Sequence, residues 1–399
     1  MRLPRLALRP PRRSFAPPGP VPRRPGRSPG RLPLLLPLLL PLWMSFGPPA
    51  RAAADPVFAP SGPDAAAFRA DKGYPVRRGA VTPQADLVGN HTRFDTLWPS
   101  HLVARAGTPS VLTRAPAEIT LSYRIDGVAI GLDLFLDRNP VTGLLIARDG
   151  TILFEHYQYG RTDRDRFLSQ SMAKTVTAML LGIALSEGRI RSIDDTAATY
   201  VPELAGSAYG ETPLRALLHM ASGVAFRETY DGADDIATLG RALFVTSTPA
   251  AQVLAGFNRR EAPPDTHFHY AGSETEVLGL VVARAVGLPL ATYLATRIWQ
   301  PMGAEADATW IVDRTGQEVA YCCLSATLRD WARFGLLLAR DGAWNGRQII
   351  PREWVQAATG PQPDFLAPGV ASRFYGYGSR SGASPVPAAP SRFSASTGR

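Results

Sequence analysis

The chain has 399 residues, 45% of them hydrophobic and 19% charged, with a formal net charge of +9. Ten arginines and no Lys, Asp or Glu fall within residues 1–54, so the remainder carries only −1. The basic balance therefore belongs to the leader and gives no support to a nucleic-acid-binding surface. The two cysteines, Cys322 and Cys323, are adjacent and have no distant partner, which excludes a disulfide framework. Because neighbours rarely bridge, they read as small buried apolar fillers.

Residues 1–54 also hold fourteen of the 37 prolines and cannot bury a core. Their apolar run, Leu34 to Phe46, is followed by Ala50-Arg51-Ala52-Ala53-Ala54. A basic start, a short apolar stretch and small residues describe a secretory signal peptide cut near Ala52–Ala54, with a periplasmic or secreted product. The run is short and proline-broken, whereas a membrane span needs about 20 apolar residues. Arg12-Arg13-Ser14-Phe15 faintly resembles a twin-arginine export signal, although it lies far ahead of the apolar run. An overlong start on an ordinary signal peptide is the other reading. Residues 55–110 are rich in Pro, Gly and Ala and are expected to wrap the surface. The roughly 345 residues after the leader suit one large domain, or a domain with a sizeable inserted lobe.

Further along, Gly143–Arg148 and Thr151–Tyr157 flank Asp149-Gly150, a strong hairpin signal. A helix is predicted from Ser171 to Glu187 with Gly188 just past its end. Thr212-Pro213 opens another, as N-cap and first helical residue, ending near Ser222-Gly223. Helices are also expected over Ser273–Val286, stopped by Gly287, over Leu290–Trp299, stopped by Pro301, over Thr327–Ala339, and from Pro351. Strands followed by many helices, with strands returning later, indicate an α/β chain of the α+β type. Its mostly antiparallel sheet is flanked by helices and accompanied by an all-helical lobe.

A serine hydroxyl becomes a useful nucleophile only when a neighbouring base takes its proton. In Ser171-Met172-Ala173-Lys174 the hydroxyl and the amine stand at i and i+3, on one helix face. The helix N-terminus at Ser171 favours developing negative charge. The chain keeps only two lysines, Lys72 and Lys174, against 41 arginines. An arginine is never deprotonated, so a base role is one reason for lysine at 174. No Gly-x-Ser-x-Gly elbow is present. Asp265, His267 and His269 alternate as on a strand face, with no further His/Cys cluster to complete a zinc site. His219 reads as a packed or capped helix residue rather than a catalytic base, and Asp194-Asp195 as caps of the turn after the helix that starts at Ser171.

The segments SQSMAKTVTAMLLGIALSEGRI, SIDDTAATYVPEL and TPLRALLHMASGV resemble the serine β-lactamase and penicillin-binding-protein superfamily. FHYAGSETEVLGLVV and CCLSATLRDWARFGLLL are similar to its class C-related branch of 6-aminohexanoate-dimer hydrolases and esterases. The resemblance runs from about Leu144 to Gly378. It implies a β-lactamase/transpeptidase-like catalytic domain over 111–378 that cleaves small amide or ester substrates through an acyl-enzyme, without metal or cofactor. It assigns Ser171 as nucleophile, Lys174 as proton acceptor and Tyr270, in His269-Tyr270-Ala271-Gly272, as the tyrosine that relays protons. The backbone N–H of Ser171 would be one oxyanion donor. A D-alanyl-D-alanine carboxypeptidase or β-lactamase shares these three residues, and a non-catalytic penicillin-binding-like module is the reading from another class. Gly272 departs from the Tyr-x-Asn form, which speaks against efficient β-lactam hydrolysis.

The family's third motif, a Lys-Thr-Gly or His-x-Gly-like triplet on an edge strand, should follow Tyr377-Gly378 by about twenty residues and supply the second oxyanion donor. Residues 379–399 are Ser-, Ala- and Pro-rich and contain nothing of the kind. A frameshift is the expectation for this tail. One alternative frame compatible with Arg380–Arg399 reads VWSIPGPRRAIALLGVHGQ, ending in His-Gly-Gln.

Overall fold

The computed structural model describes residues 54–79, 82–371 and 377. Residues 1–53, all but the last of the expected leader over 1–54, and the tail over 379–399, where the third motif was looked for, lie outside the described residues. The chain starts with β1 (Val57–Phe58), α1 (Leu87–Arg93) and β2 (Ser100–Val103), then β3 (Thr113–Arg114), the hairpin β4 (Ser122–Ile125) and β5 (Val128–Gly131), and α2 (Leu132–Arg138). A second hairpin, β6 (Gly143–Arg148) and β7 (Thr151–Tyr157), leads through β8 (Arg166–Leu168) into α3 (Met172–Ser186). Helices α4 (Leu214–Leu218), α5 (Asp235–Arg241), α6 (Ala250–Gly256), α7 (Gly272–Val286) and α8 (Leu290–Leu294) form the helical lobe. Strands return as β9 (Ala308–Ile311) and β10 (Leu324–Thr327), followed by α9 (Leu328–Ala339), the short hairpin β11 (Ala343–Trp344) and β12 (Arg347–Gln348), and α10 (Arg352–Thr359).

The expected mix of sheet and flanking helices is present, and among the described residues its larger sheets are two of four strands each. In the first, β6 and β7 are antiparallel, while β1 and β3 run parallel to β7 at its two ends. The second has the order β2-β9-β10-β8 and is antiparallel throughout. Residues 55–110 do more than wrap the surface: β1 joins one sheet, β2 joins the other, and Val103 is fully buried. The Asp149-Gly150 turn forms as predicted, with φ of 54° and 87°, the left-handed pair that a two-residue hairpin requires.

Helix α3 is buried on nearly every side and packs against α7, and Gly188 ends it with φ 68°. Trp354 of α10 donates from Nε1 to the Ala178 carbonyl at 3.0 Å and lies over Gly182, where an added Cβ would stand 2.3 Å from its ring. Gly182→Ala is therefore expected to cost about 1–3 kcal/mol, read as a lower denaturant midpoint. Helix α4 stops at Leu218, before the expected end, because Met220 takes a left-handed φ of 55°. The helix from Leu290 continues to Trp299 as a wider π turn.

Two expectations are corrected. Cys322 and Cys323 are joined to each other by a disulfide, and only Cys323 is buried. The left-handed φ of 72° at Cys323 folds the chain back so that neighbouring side chains meet. The stretch carrying Asp265, His267 and His269 is not a strand, and the three go to different partners. Asp265 pairs with His219 at 2.6 Å, His267 lies beside the Thr266 hydroxyl, and His269 Nε2 approaches the Phe226 carbonyl at 2.6 Å. Asp194 pairs with Arg215, and Asp195 accepts from the Tyr200 hydroxyl. Among the described residues, no single helix is long and apolar enough to cross a membrane.

Candidate active site

The site forms where β8 turns into α3. Ser169 ties this corner to β10: its N–H donates to the Leu324 carbonyl at 2.8 Å, and its Oγ accepts from Leu324 N at 3.2 Å. Gln170 has φ 45°, a left-handed conformation uncommon outside glycine, and reverses the chain within one residue. Ser171 then stands as the N-cap of α3, yet its side chain makes no cap hydrogen bond. Its Oγ instead receives Lys174 Nζ at 3.0 Å and the Tyr270 hydroxyl at 2.7 Å. The three residues named from the sequence thus converge on one oxygen, although Tyr270 lies 99 positions from Ser171.

Ser171 is exposed at the helix tip, whereas Lys174 is only 3% exposed. The lysine amine also donates to the Tyr321 carbonyl at 2.9 Å and lies 5.1 Å and 5.5 Å from the ring centres of Tyr270 and Tyr321. The Ser171 N–H makes no hydrogen bond among the described residues, so it is free to meet a carbonyl oxygen held over Oγ. An exposed hydroxyl against a buried amine and a phenol suits proton transfer during acyl transfer, with both partners inside hydrogen-bond reach.

Tyr270 immediately precedes Ala271, the N-cap of α7. The Gly272 N–H donates to the Glu228 carboxylate, whose other oxygen accepts from the Tyr230 hydroxyl at 2.5 Å. A Cβ at position 272 would meet Glu228, Ile236 and Tyr321 at 3.2–3.3 Å. The space around this glycine is thus already filled, and the carboxamide of a Tyr-x-Asn motif would have to displace these groups. Glu228, Tyr230 and Tyr321 were not read from the sequence. Glu276 was not either, although an acid among the apolar residues of α7 was a visible signal. Burial pushes its carboxyl up to about 8, against the pull of backbone N–H groups from Ala320 and Tyr321.

A cavity of about 690 Å³ opens in the helical lobe, lined by Phe226, Arg227, Asn258 and His269 among others, but not by Ser171, Lys174 or Tyr270. Arg259 pairs there with Glu261, the Arg227 guanidinium donates to the Ala233 carbonyl, and Asp235 accepts from the Arg227 backbone N–H.

The beta-lactamase family matches residues 114–389. The 6-aminohexanoate-dimer hydrolase of Paenarthrobacter ureafaciens is 30% identical over 285 residues, 66% of this chain and 68% of that protein. Among solved structures, a Bacillus anthracis protein provisionally named a 6-aminohexanoate-dimer hydrolase is similar at a TM-score of 0.67 and 25% identity, covering 76% of this chain and 81% of that one. EstCE1, a hydrolase with promiscuous acyltransferase activity, shares the fold at a TM-score of 0.50 and 16% identity, covering 60% of this chain and 76% of its own. With a match that spans most of its described residues, the chain belongs to the beta-lactamase family and is a serine hydrolase.

Proposed function

We propose that the protein is exported and cleaves small amide or ester substrates through an acyl-enzyme, in the manner of 6-aminohexanoate-dimer hydrolases and related esterases. The observation that carries this reading is the convergence of Lys174 Nζ and the Tyr270 hydroxyl on Ser171 Oγ, at 3.0 and 2.7 Å. Ser171 Oγ attacks the substrate carbonyl while its proton passes to the Lys174–Tyr270 pair. The Ser171 N–H donates to the resulting oxyanion, and the departing amine or alcohol takes up a proton delivered from Tyr270. Water then attacks the acyl-enzyme by the reverse relay. This route asks for no metal or cofactor.

Gly272 supplies no carboxamide of the Tyr-x-Asn kind, and its filled surroundings leave no room for one, which speaks against efficient β-lactam hydrolysis. Export is supported by the leader's composition and by the Cys322–Cys323 bond, which suits an oxidising compartment. To test the reading, the purified protein is treated with a fluorophosphonate, a p-nitrophenyl ester and a penicillin, and followed by turnover and intact mass. Ester turnover with a single phosphonyl group on the peptide carrying Ser171 supports it. A long-lived penicilloyl adduct would move the assignment to a carboxypeptidase or β-lactamase, and no adduct at all would indicate a non-catalytic module.

Removing one hydroxyl checks the relay. Tyr270→Phe is expected to lower kcat/KM for the ester by about 10²-fold. The Tyr270 side chain is half-buried and its ring remains in the variant, so the thermal midpoint should hardly move. A loss below about threefold would take Tyr270 out of the relay.

A further inference from the structure

We propose that Glu276 is a positioning residue for Lys174: it fixes the Ala320–Tyr321 backbone so that the Tyr321 carbonyl stays on the lysine amine. The inference rests on the reading of Lys174 as a proton carrier and adds to it a residue that touches neither substrate nor the reacting atoms.

The geometry runs through two successive residues, Ala320 and Tyr321. Ala320 N–H donates to Glu276 Oε2 at 2.8 Å, and the Tyr321 N–H acts on the same carboxyl group. The Ala320 carbonyl, in the same rigid plane as the Tyr321 N–H, accepts from Thr177 Oγ1 at 3.0 Å. Ala320 is therefore held at its N–H from α7 by Glu276 and at its carbonyl from α3 by Thr177. The next carbonyl along the chain, that of Tyr321, takes Lys174 Nζ at 2.9 Å.

Two further features hold this shelf close. A Cβ at Gly279, one turn beyond Glu276 minus a residue, would stand 2.2 Å from the Ala320 Cβ, so only glycine lets the loop lie against α7. Beyond Tyr321 the chain is closed by the Cys322–Cys323 bond, and Trp310 Nε1 donates to the Val319 and Cys322 carbonyls at 2.9 and 3.1 Å. Glu276 is 1% exposed, and Asp313 and Glu318 press on it with like charge. An acid kept under such conditions invites a role. The plain alternative is that it only satisfies buried N–H groups, and the experiment separates the two.

Glu276→Gln in the full chain keeps the size and one acceptor oxygen but puts an NH₂ in place of the other oxygen. It is expected to lower kcat/KM for a p-nitrophenyl ester by about 10- to 100-fold with KM within about twofold. The acidic limb of the kcat/KM profile should move by at least about half a pH unit. Glu318→Gln is the matched control. Glu318 is an equally buried carboxylate in the same stretch, but it is tied to Ala291 N–H and His101. Its loss should cost stability and leave the profile in place. Thr177→Val, which releases the Ala320 carbonyl, should reproduce the kcat effect more weakly and decides the matter if Glu276→Gln does not fold. The proposal is overturned if Glu276→Gln keeps kcat/KM within about twofold, or loses it only in step with the folded fraction while the profile stays fixed. An active Lys174→Arg would instead remove the reading beneath it, so the two failures are distinguishable.

Discussion

Replacing Ser171 by alanine is expected to leave ester turnover at least about 10⁴-fold below wild type and to abolish fluorophosphonate labelling. What would survive is binding and whatever stabilisation the Ser171 N–H still gives the oxyanion, because that donor belongs to the backbone and persists in the variant. The fold should persist too. An N-cap serine replaced by alanine ordinarily costs about 1 kcal/mol because its hydroxyl caps the helix. Here the hydroxyl caps nothing and is committed to Lys174 and Tyr270, so the helix loses no bond. Thermal midpoint and circular dichroism of the variant check the second half of the expectation, and turnover and intact mass check the first. Turnover within tenfold of wild type would place the nucleophile on another residue.

The parts of this molecule legible in the sequence are those fixed by neighbours along the chain. Asp149-Gly150 demands positive φ twice, and Gly188 and Gly287 mark helix ends with left-handed backbone. Ser171 and Lys174 could be paired because i and i+3 share a helix face wherever that helix lies. Tyr270 needed the family resemblance, since nothing local to HFHYAG distinguishes a relay tyrosine from a packed one. Tyr321 was out of reach for a different reason. It contributes its backbone carbonyl across 147 positions, and any residue type supplies that atom. The disulfide ran against a sound rule, and a left-handed turn at Cys323 made the exception. Likewise β2 lies in a Pro- and Gly-rich stretch with a weak strand pattern, and only its pairing with β9 makes it a strand. Tertiary contacts override local propensity at such places.

Lys174→Arg is expected to lower kcat/KM by on the order of 10³-fold while the protein remains folded. The exchange keeps a positive charge, so it tests whether the lysine acts as a fixed cation or as a group that gives up and regains a proton. A guanidinium holds its protons under all working conditions and cannot take one from a hydroxyl. The surroundings add a geometric penalty. The amine fits between Ser171 Oγ at 3.0 Å and the Tyr321 carbonyl at 2.9 Å and is almost wholly buried, whereas a planar fork is broader than that gap. Lys174→Met separates the two contributions, because it fills a similar volume without charge or proton. If proton transfer is the main role, both variants fall by similar factors, and both lose the limb of the pH–rate profile that reports the amine. Should Lys174→Arg retain turnover within about tenfold of wild type while Lys174→Met does not, the lysine serves as a fixed charge and Tyr270 alone carries the proton.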